Sequence, residues 1–523
     1  MLKQPRYKSL SGLLKKVPVT PKGAIPDIKI RAVQSDSRQV REGDAFFAIK
    51  GESFDGFNYV EAAKAQGARL IVSNRPAPRD FGLPYLEIEA DPREALAWMA
   101  AAAQGFPARK LRVIGVTGTD GKTSTCSMIH HILTKLGIKA GMISTVSALI
   151  GSQTLDTGFH VTTPDAPDIQ AYLAEMVRQG MTHCVLESTS HGLAQRRAVA
   201  SEFDIAAVTN VTHEHLDYHG SWQEYLAAKG LLFESLWQTA PKKIGNPRLA
   251  VLNKDDRSYG YLKRVSPRNK ISYSRLNQAD LWAENIQNTP AELRFDCHIA
   301  DQVFQVRSPM VGIYNVSNAL AALAVCVCGL GLDADLAVKA LADQASVPGR
   351  MERIDLGQDF IAIVDFAHTP NALASALETV RGLTSGKVIA VYGSAGLRDR
   401  EKRRMMPAAS VQGADVSILT AEDPRTESLP AILEEMAEAA VTAGGKEGKN
   451  FFRVADRGDA IRKAVSMAEA GDVVIACGKG HEQSMCFIAT EYPWDDRVAM
   501  RAALAERLGI AGPKMPWLPT SRD

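Results

Sequence analysis

Cysteine is scarce in this chain. Its 523 residues hold seven, Cys126, Cys184, Cys297, Cys326, Cys328, Cys477 and Cys486, scattered and without a C-x-x-C pair. An odd, dispersed set argues for reduced thiols and a cytosolic home rather than a disulfide framework. Long apolar runs are also missing. Nothing approaches a transmembrane span, and the opening MLKQPRYKSLSGLLKKVPVT has basic residues but no apolar core of a signal peptide. Neither charge sign is in excess: 61 Lys+Arg against 59 Asp+Glu leave +2, too balanced for nucleic acid or a membrane surface as main partner. There is no fixed-period repeat and no low-complexity tract. A soluble enzyme of two to four domains is the expectation at this length.

What is present is an alternation of short apolar runs with helical patterns. Residues 1–108 mix DAFFAIKG, ARLIVSN and PYLEIEA with helices ending in the alanine-rich EALAWMAAAAQGF. A second block, 109–349, carries LRVIGVTG, HCVLEST, DIAAVTNV and LAVLN. A third, 350–523, carries FIAIVDFAH, KVIAVYGS, DVSILTAE, FFRVAD and DVVIACGKG. Continuous Val/Ile-rich runs between helices predict parallel sheets buried on both faces, hence two α/β domains after a smaller α+β unit. In both α/β blocks the glycines and charged residues directly follow the apolar runs. Parallel sheets bind ligands beyond the carboxyl ends of their strands, so those loops are the candidate sites.

In VIGVTGTDGKTSTCSMIHHILTKLG a strand leads through a glycine-rich loop into a helix. Gly118, Thr119, Asp120, Gly121, Lys122, Thr123 and Ser124 predict a phosphate cradle, with Lys122 on the phosphates and the Thr123 hydroxyl on Mg²⁺. The fit to G-x-x-x-x-G-K-[ST] is incomplete, because the first glycine position holds Val116 and Gly115 lies one place early. A plain glycine-rich turn is the alternative, and the absence of G-x-G-x-x-G argues against a dinucleotide.

Later strand ends offer more polar groups. Glu187 is followed by Thr189, Ser190, His191, Gln195 and Arg197, and VTNVTHEHLDYHG supplies Asn210, His213, Glu214, His215, Asp217 and His219. A carboxylate and an imidazole beside a triphosphate suit a second Mg²⁺; zinc or plain surface charge are the alternatives for the histidines. Lys229, in a helix among apolar residues, is either solvated or a desolvated amine able to add CO₂ and present a carbamate to a metal. ILTAEDPRTES sets Glu422, Asp423 and Arg425 at a strand end, either as a solvated turn or as a pocket for a ligand carrying both charge signs.

GVTGTDGKTS, TTPD, ESTSHGLAQRR, VTNVTHEHLDYHGSWQEYLAAK, GIYNVSNALAA, PGRMER, VDFAHTP, EDPRTES and GKGHE run in order through all three blocks. Together they resemble the Mur ligases, in particular those that add the third residue of the peptidoglycan peptide. The resemblance implies a three-domain architecture: a small α+β N-terminal domain binding UDP-MurNAc, a central P-loop ATPase-like domain and a C-terminal Rossmann-like domain binding an amino acid. It implies that ATP activates the D-glutamate side chain of UDP-MurNAc-L-Ala-D-Glu as an acyl phosphate, which the amine of a diamino acid attacks. By this resemblance Gly118 to Ser124 hold ATP, and Asn315, Asn318, Arg350, Asp365 and His368 complete its site. Thr123, Glu187 and His215 are the magnesium set, joined by Lys229 as a carbamate. Ser35, Ser37, Glu52, Ser53 and Phe54 match the uridine-nucleotide pocket, and Thr162, Thr163, Thr189, Gln195 and Arg197 the muramoyl-dipeptide contacts. Arg398, Glu422, Asp423, Pro424, Arg425, Gly478 and Glu482 match the diamino-acid pocket. A monomer whose domains close on ATP is expected.

Several residues depart from the family pattern: Asp120 where Asn is usual, Ser124 for Thr, Thr189 for Ser, and EDPR for DNPR. Arg425 favours meso-diaminopimelate, whose distal carboxylate it can meet. Asp423 makes the pocket more acidic, which would suit L-lysine or L-ornithine. A folylpolyglutamate synthetase-like ligase and an inactive nucleotide-binding scaffold are the remoter alternatives.

Overall fold

The computed structural model describes residues 5–51, 54–155, 163–212, 216–289, 292–344 and 347–521. In the first part, the strands Pro21–Lys22, Tyr85–Ile88, Leu70–Ser73, Ala45–Phe47 and Val33–Gln34 form one sheet in that order. All its pairings are parallel except that of Pro21–Lys22. The helix Pro92–Gln104 starts on an Asp91 cap and stops at Gly105 in left-handed backbone. Its Ala97 and Ala101 pack with Ala166 and Ala200, so small side chains set the close approach to the next part.

The central sheet has eleven strands. Its middle is parallel, in the order Ala140–Ile143, His183–Glu187, Arg112–Thr117, Ile205–Val208, Leu249–Asn253, Lys270–Ser274 and Leu281–Asn288. Four of these, Arg112–Thr117, His183–Glu187, Ile205–Val208 and Leu249–Asn253, are the Val/Ile-rich runs read above, and the first five strands are buried except at Arg112, as strands covered on both faces must be. Both margins differ from the parallel expectation. Ala148–Ile150 and Gln153–Leu155 on one side, and Leu293–Ile299 and Gln302–Ser308 on the other, pair antiparallel. Residues of Leu293–Ile299 alternate between buried and more exposed, the pattern of a sheet with one face toward water.

The last sheet runs Glu352–Ile354, Ile361–Asp365, Val473–Cys477, Val388–Tyr392, Val416–Leu419 and Phe451–Arg453, parallel apart from its first pairing. Loops after its strands feed helices with side-chain caps: Thr369 for Pro370–Arg381, Ser428 for Leu429–Thr442 and Asp456 for Arg457–Met467. Among the described residues no helix is long and apolar enough to cross a membrane.

Register decides where the polar loops emerge. Glu187 pairs with Val116 and Val208 with Thr117, so three neighbouring central strands end at one level. In the last sheet Asp365 pairs with Cys477 and Tyr392 with Leu419. At the opposite end of the central sheet a buried ion pair fastens the strand entries. Asp204 Oδ2 accepts the Val113 N–H at 2.7 Å and Lys242 Nζ at 2.6 Å, and Lys242 also donates to the carbonyls of Glu202 and Leu111. Both side chains are essentially inaccessible. Lys242→Met leaves that carboxylate buried and uncompensated, so chemical denaturation should show a loss of about 3 kcal/mol or more, and adding Asp204→Asn should recover part of it.

Candidate functional site

The glycine-rich loop leaves the strand Arg112–Thr117 and enters the helix Lys122–Lys135, so the first N–H groups of that helix face whatever the loop holds. Two neighbours shape it. The Thr119 N–H donates to Asn210 O, the Asp120 N–H to Asn210 Oδ1, and the Asp120 carbonyl accepts from Thr209 Oγ1 at 2.6 Å. Gly118 has φ +153, and a Cβ there would fall 1.8 Å from Thr209 Oγ1, so only glycine fits against this support. Lys122 Nζ donates to Thr119 O at 2.7 Å.

Thr123, on the first turn of the loop helix, meets Glu187 at the carboxyl end of the adjacent strand. The Thr123 hydroxyl lies 3.1 Å from both carboxylate oxygens, which also accept the Thr145 N–H at 3.0 Å and its hydroxyl at 2.9 Å. An oxygen-only pair facing a phosphate loop fits a hard divalent cation that takes one carboxylate plus phosphate oxygens, as Mg²⁺ does. His215 lies outside the described residues, as do Glu52, Ser53 and Thr162. Lys229 is not on a solvated face: it is 1% exposed, donates to Gly118 O at 2.5 Å and sits 4.3 Å from the Tyr225 ring centroid. Tyr225, in turn, bonds the Thr119 hydroxyl at 3.1 Å. His219 is buried beside the rings of His191, Tyr218 and Tyr225.

The remaining nucleotide candidates converge on the same loop. Asn315 and Asn318 lie on the helix Tyr314–Leu323, joined at 2.9 Å, and Asn318 abuts Gly121. Arg350 reaches back so that Nη2 donates to Thr123 Oγ1 at 3.2 Å, with its guanidinium over the Phe366 ring. Asp365 accepts the N–H groups of Met351 and Ala367 and so holds the turn that carries Arg350. His368 and His481 pack against Phe366.

Two cavities open beside this centre. One of about 240 Å³ is lined by Ser35, Ile49, Phe54, Tyr59 and Arg93 of the first part and by Asp165, Gln195 and Arg197 of the second. Ser37 is buried but not on this wall. The other, about 360 Å³, lies between the central and last sheets, with Thr163, Thr189, His191, Gln195 and Arg197 facing Arg398, Lys402, Glu422, Asp423, Arg425, Gly478 and Glu482. Gln195 and Arg197 line both, so one extended ligand can occupy the two. Arg197 is fixed there by Gln195 Oε1 at 2.7 Å, by the Thr163 carbonyl at 2.9 Å and by Asp165 at 3.2 Å. Thr163 and Thr189 share a hydrogen bond at 3.0 Å.

The EDPR turn is part of this second wall, not a solvated turn: Glu422 and Asp423 are 8% and 6% exposed. Asp423 and Arg425 both have positive φ, +39 and +52, and the turn is held by the Arg425 N–H donating to the Cys486 carbonyl and the Arg425 carbonyl accepting the Ile488 N–H. Glu422 Oε2 has no hydrogen-bond partner among the described residues. Burial raises the Glu422 pKa while Arg457, His368 and Lys479 oppose that shift. A Cβ on Gly478 would come within 2.5 Å of the same oxygen, so glycine at φ +112 makes room for it. Sequence reading missed Arg457. Fully buried, it donates to the carbonyls of Ala421 and Cys477, the residues just before Glu422 and Gly478, and is paired with Asp496, which also accepts from Trp494 Nε1. Lys402, on the wall, was missed too. Within the basic run 402–404 the fold turns Lys402 to the cavity wall and buries Arg403.

Comparison with known proteins gives one consistent match. The model of the Mur ligase middle domain matches residues 116–326, that of the Mur ligase, glutamate ligase domain residues 349–480, and that of the Mur ligase family, catalytic domain residues 29–104. The chain is 40% identical over 486 residues to a UDP-N-acetylmuramoyl-L-alanyl-D-glutamate--2,6-diaminopimelate ligase of Geobacillus thermodenitrificans, covering 93% of this chain and 96% of that one. It is 40% identical over 491 residues to a UDP-N-acetylmuramyl-tripeptide synthetase of Roseiflexus sp., with 92% and 96% covered. A solved UDP-N-acetylmuramoyl-L-alanyl-D-glutamate--2,6-diaminopimelate ligase superposes with a TM-score of 0.66 at 29% identity, covering 96% of this chain and all of that one.

Beneath the nucleotide centre, burial and the nearby Arg350 push the His481 pKa down to about 3. The folded protein therefore keeps this imidazole neutral while the unfolded chain takes up a proton near pH 6.5. Its stabilising contribution is present above pH 6.5 and is lost as pH falls toward 3. In a pH series of denaturation curves, His481→Gln should flatten the acid-side slope by about 1 kcal/mol per pH unit relative to the unmodified protein.

Proposed function

The chain belongs to the Mur ligase family, and we propose that it joins a diamino acid, meso-diaminopimelate, to the D-glutamate side chain of UDP-MurNAc-L-Ala-D-Glu with cleavage of ATP. The observation that carries this reading is the convergence of three binding surfaces. Gln195 and Arg197 line both the cavity that starts at Ser35 and the one walled by Arg398 to Glu482. The second adjoins the phosphate loop through Thr163, bonded to Glu187 beside Thr123, and through Phe366, which lies under the Arg350 that reaches Thr123. Residues 1–108 hold the uridine nucleotide, 109–349 the ATP, and 350–523 the amino acid. The reaction belongs to the cytoplasm, where ATP and the soluble precursor are available.

Chemically the site supplies alignment and charge. A carboxylate oxygen of the D-glutamate side chain attacks the γ-phosphorus, the bond to ADP breaks, and an acyl phosphate forms. The diamino acid's amine then attacks the acyl carbon, gives up a proton, and inorganic phosphate leaves from the tetrahedral intermediate. Lys122 and Arg350 offset the charge on the transferring phosphoryl group, while Thr163, Thr189, Gln195 and Arg197 fix the acid in line with it. Mg²⁺, held by Thr123, Glu187, His215 and a carbamate on Lys229, would neutralise phosphate oxygens. A carbamate nitrogen keeps one N–H, so the bond from Lys229 to Gly118 is compatible with that modification.

The choice of diaminopimelate over lysine or ornithine is supported by where the acidic turn directs its charge. Asp423 Oδ1 accepts from buried Lys479 at 3.0 Å and from the Cys486 N–H at 2.9 Å. Its charge is spent inside the wall, which leaves Arg398 and Arg425 to receive a distal carboxylate bidentately. Phosphate release with ATP and UDP-MurNAc-L-Ala-D-Glu should depend on added diaminopimelate, with lysine and ornithine at least about tenfold poorer. Arg425→Ala should lower kcat/KM for diaminopimelate about 100-fold and for lysine by much less, from loss of one charged partner. Release that requires a pteroyl substrate, or equal losses for both amino acids, would contradict this assignment.

A further inference from the structure

We propose that Lys479 sets the amino-acid preference of this enzyme by neutralising Asp423 from behind the cavity wall. The inference rests on the ligase reading above and deepens it. Lys479 sits in GKGHE, after the strand Val473–Cys477, and its side chain is 0% exposed. Its Nζ lies 3.0 Å from Asp423 Oδ1 and 2.5 Å from Glu482 Oε2. Both acids line the cavity, and the lysine does not. Burial alone would lower its pKa, but Glu482 and Asp423 outweigh that and hold it above the ordinary lysine value. The amine is therefore a fixed positive charge, not a titrating one.

The consequence is a change in what the wall offers a ligand. Asp423, Glu482 and Lys479 together carry one net negative charge where the two acids alone would carry two. Asp423 is only two residues from Arg425, both in left-handed backbone, and its carboxylate is held by Lys479 and the Cys486 N–H. An uncompensated Asp423 in this dry turn would oppose any carboxylate drawn toward Arg425, since charges interact strongly where water is excluded. An ammonium at the same place would gain. Lys479 therefore admits a diamino dicarboxylic acid to a pocket whose sequence is otherwise acidic, and its removal favours a diamino monocarboxylic acid. It acts through Asp423 without touching the ligand, so it is a positioning residue. It is the acid at position 423 that makes this compensation necessary.

The test compares kcat/KM for diaminopimelate and for lysine, with ATP and UDP-MurNAc-L-Ala-D-Glu, in the full-length protein. Lys479→Gln keeps a hydrogen-bond donor but removes the charge, so a merely structural role survives it. It should lower diaminopimelate use about 100-fold, largely through KM for the amino acid, and lysine use less than about tenfold. Lys479→Arg, which keeps the charge, should hold the ratio within about threefold of the unmodified enzyme, and adding Asp423→Asn to Lys479→Gln should restore at least about tenfold of the lost diaminopimelate preference. An unchanged ratio in Lys479→Gln, equal losses for the two amino acids in a variant that still binds ATP, or no rescue by Asp423→Asn would overturn the proposal. If the unmodified enzyme turns over neither amino acid, the ligase reading falls first and this inference with it.

Discussion

Parallel pairing brings the strands Arg112–Thr117, His183–Glu187 and Ile205–Val208 to a common end, and the chemistry of the centre depends on that alignment. With Glu187 level with Val116, its carboxylate reaches Thr123 on the first turn of the loop helix. With Val208 level with Thr117, the next residues, Thr209 and Asn210, grip the loop backbone from the other side. Slipping either strand by one residue would turn these side chains into the packed faces of the sheet. The Lys242–Asp204 pair at the far end works for the same register.

The last sheet repeats the device with a different ligand class in view. Its strand ends present Ser394, Glu422 and Gly478 to the cavity shared with the central domain, and charge there is managed from behind. Arg457 clamps the backbone before Glu422 and Gly478. Arg403, 1% exposed, pairs with Glu427, which accepts the Leu397 N–H and so ties the Arg398 loop to the EDPR turn. Lys479 offsets Asp423. Buried ion pairs of this kind add little net stability, but breaking one leaves an uncompensated charge, so they fix geometry effectively.

Much of this was legible in the sequence because it is local. The Val/Ile-rich runs that were read as strands all form strands, and G-K-T between strand and helix marked the loop. The glutamate at the end of HCVLEST needed only the strand-end rule. What could not be read depends on distance along the chain. Whether Lys229 is solvated or buried depends on Gly118, 111 residues earlier. Asp423 reads as added acidity until Lys479, 56 residues on, is seen beside it. The antiparallel margin after Leu281 carries an alternating pattern, but it was absorbed into the parallel expectation of its block. The roles of Arg403 and Arg457 depend on burial that arginine seldom shows.

The central claim is that two sheet edges converge to hold a triphosphate, a carboxylate and a diamino acid in one line. A crystal structure with a non-hydrolysable ATP analogue, UDP-MurNAc-L-Ala-D-Glu and diaminopimelate tests it directly. The account predicts the γ-phosphate on Lys122 and Arg350, the D-glutamate side chain between Thr189 and Arg197, and the amino acid against Arg425 with an amine facing that carboxylate. An amino acid bound away from the Arg398–Glu482 wall, or a γ-phosphate out of reach of the D-glutamate side chain with all three ligands in place, would contradict it.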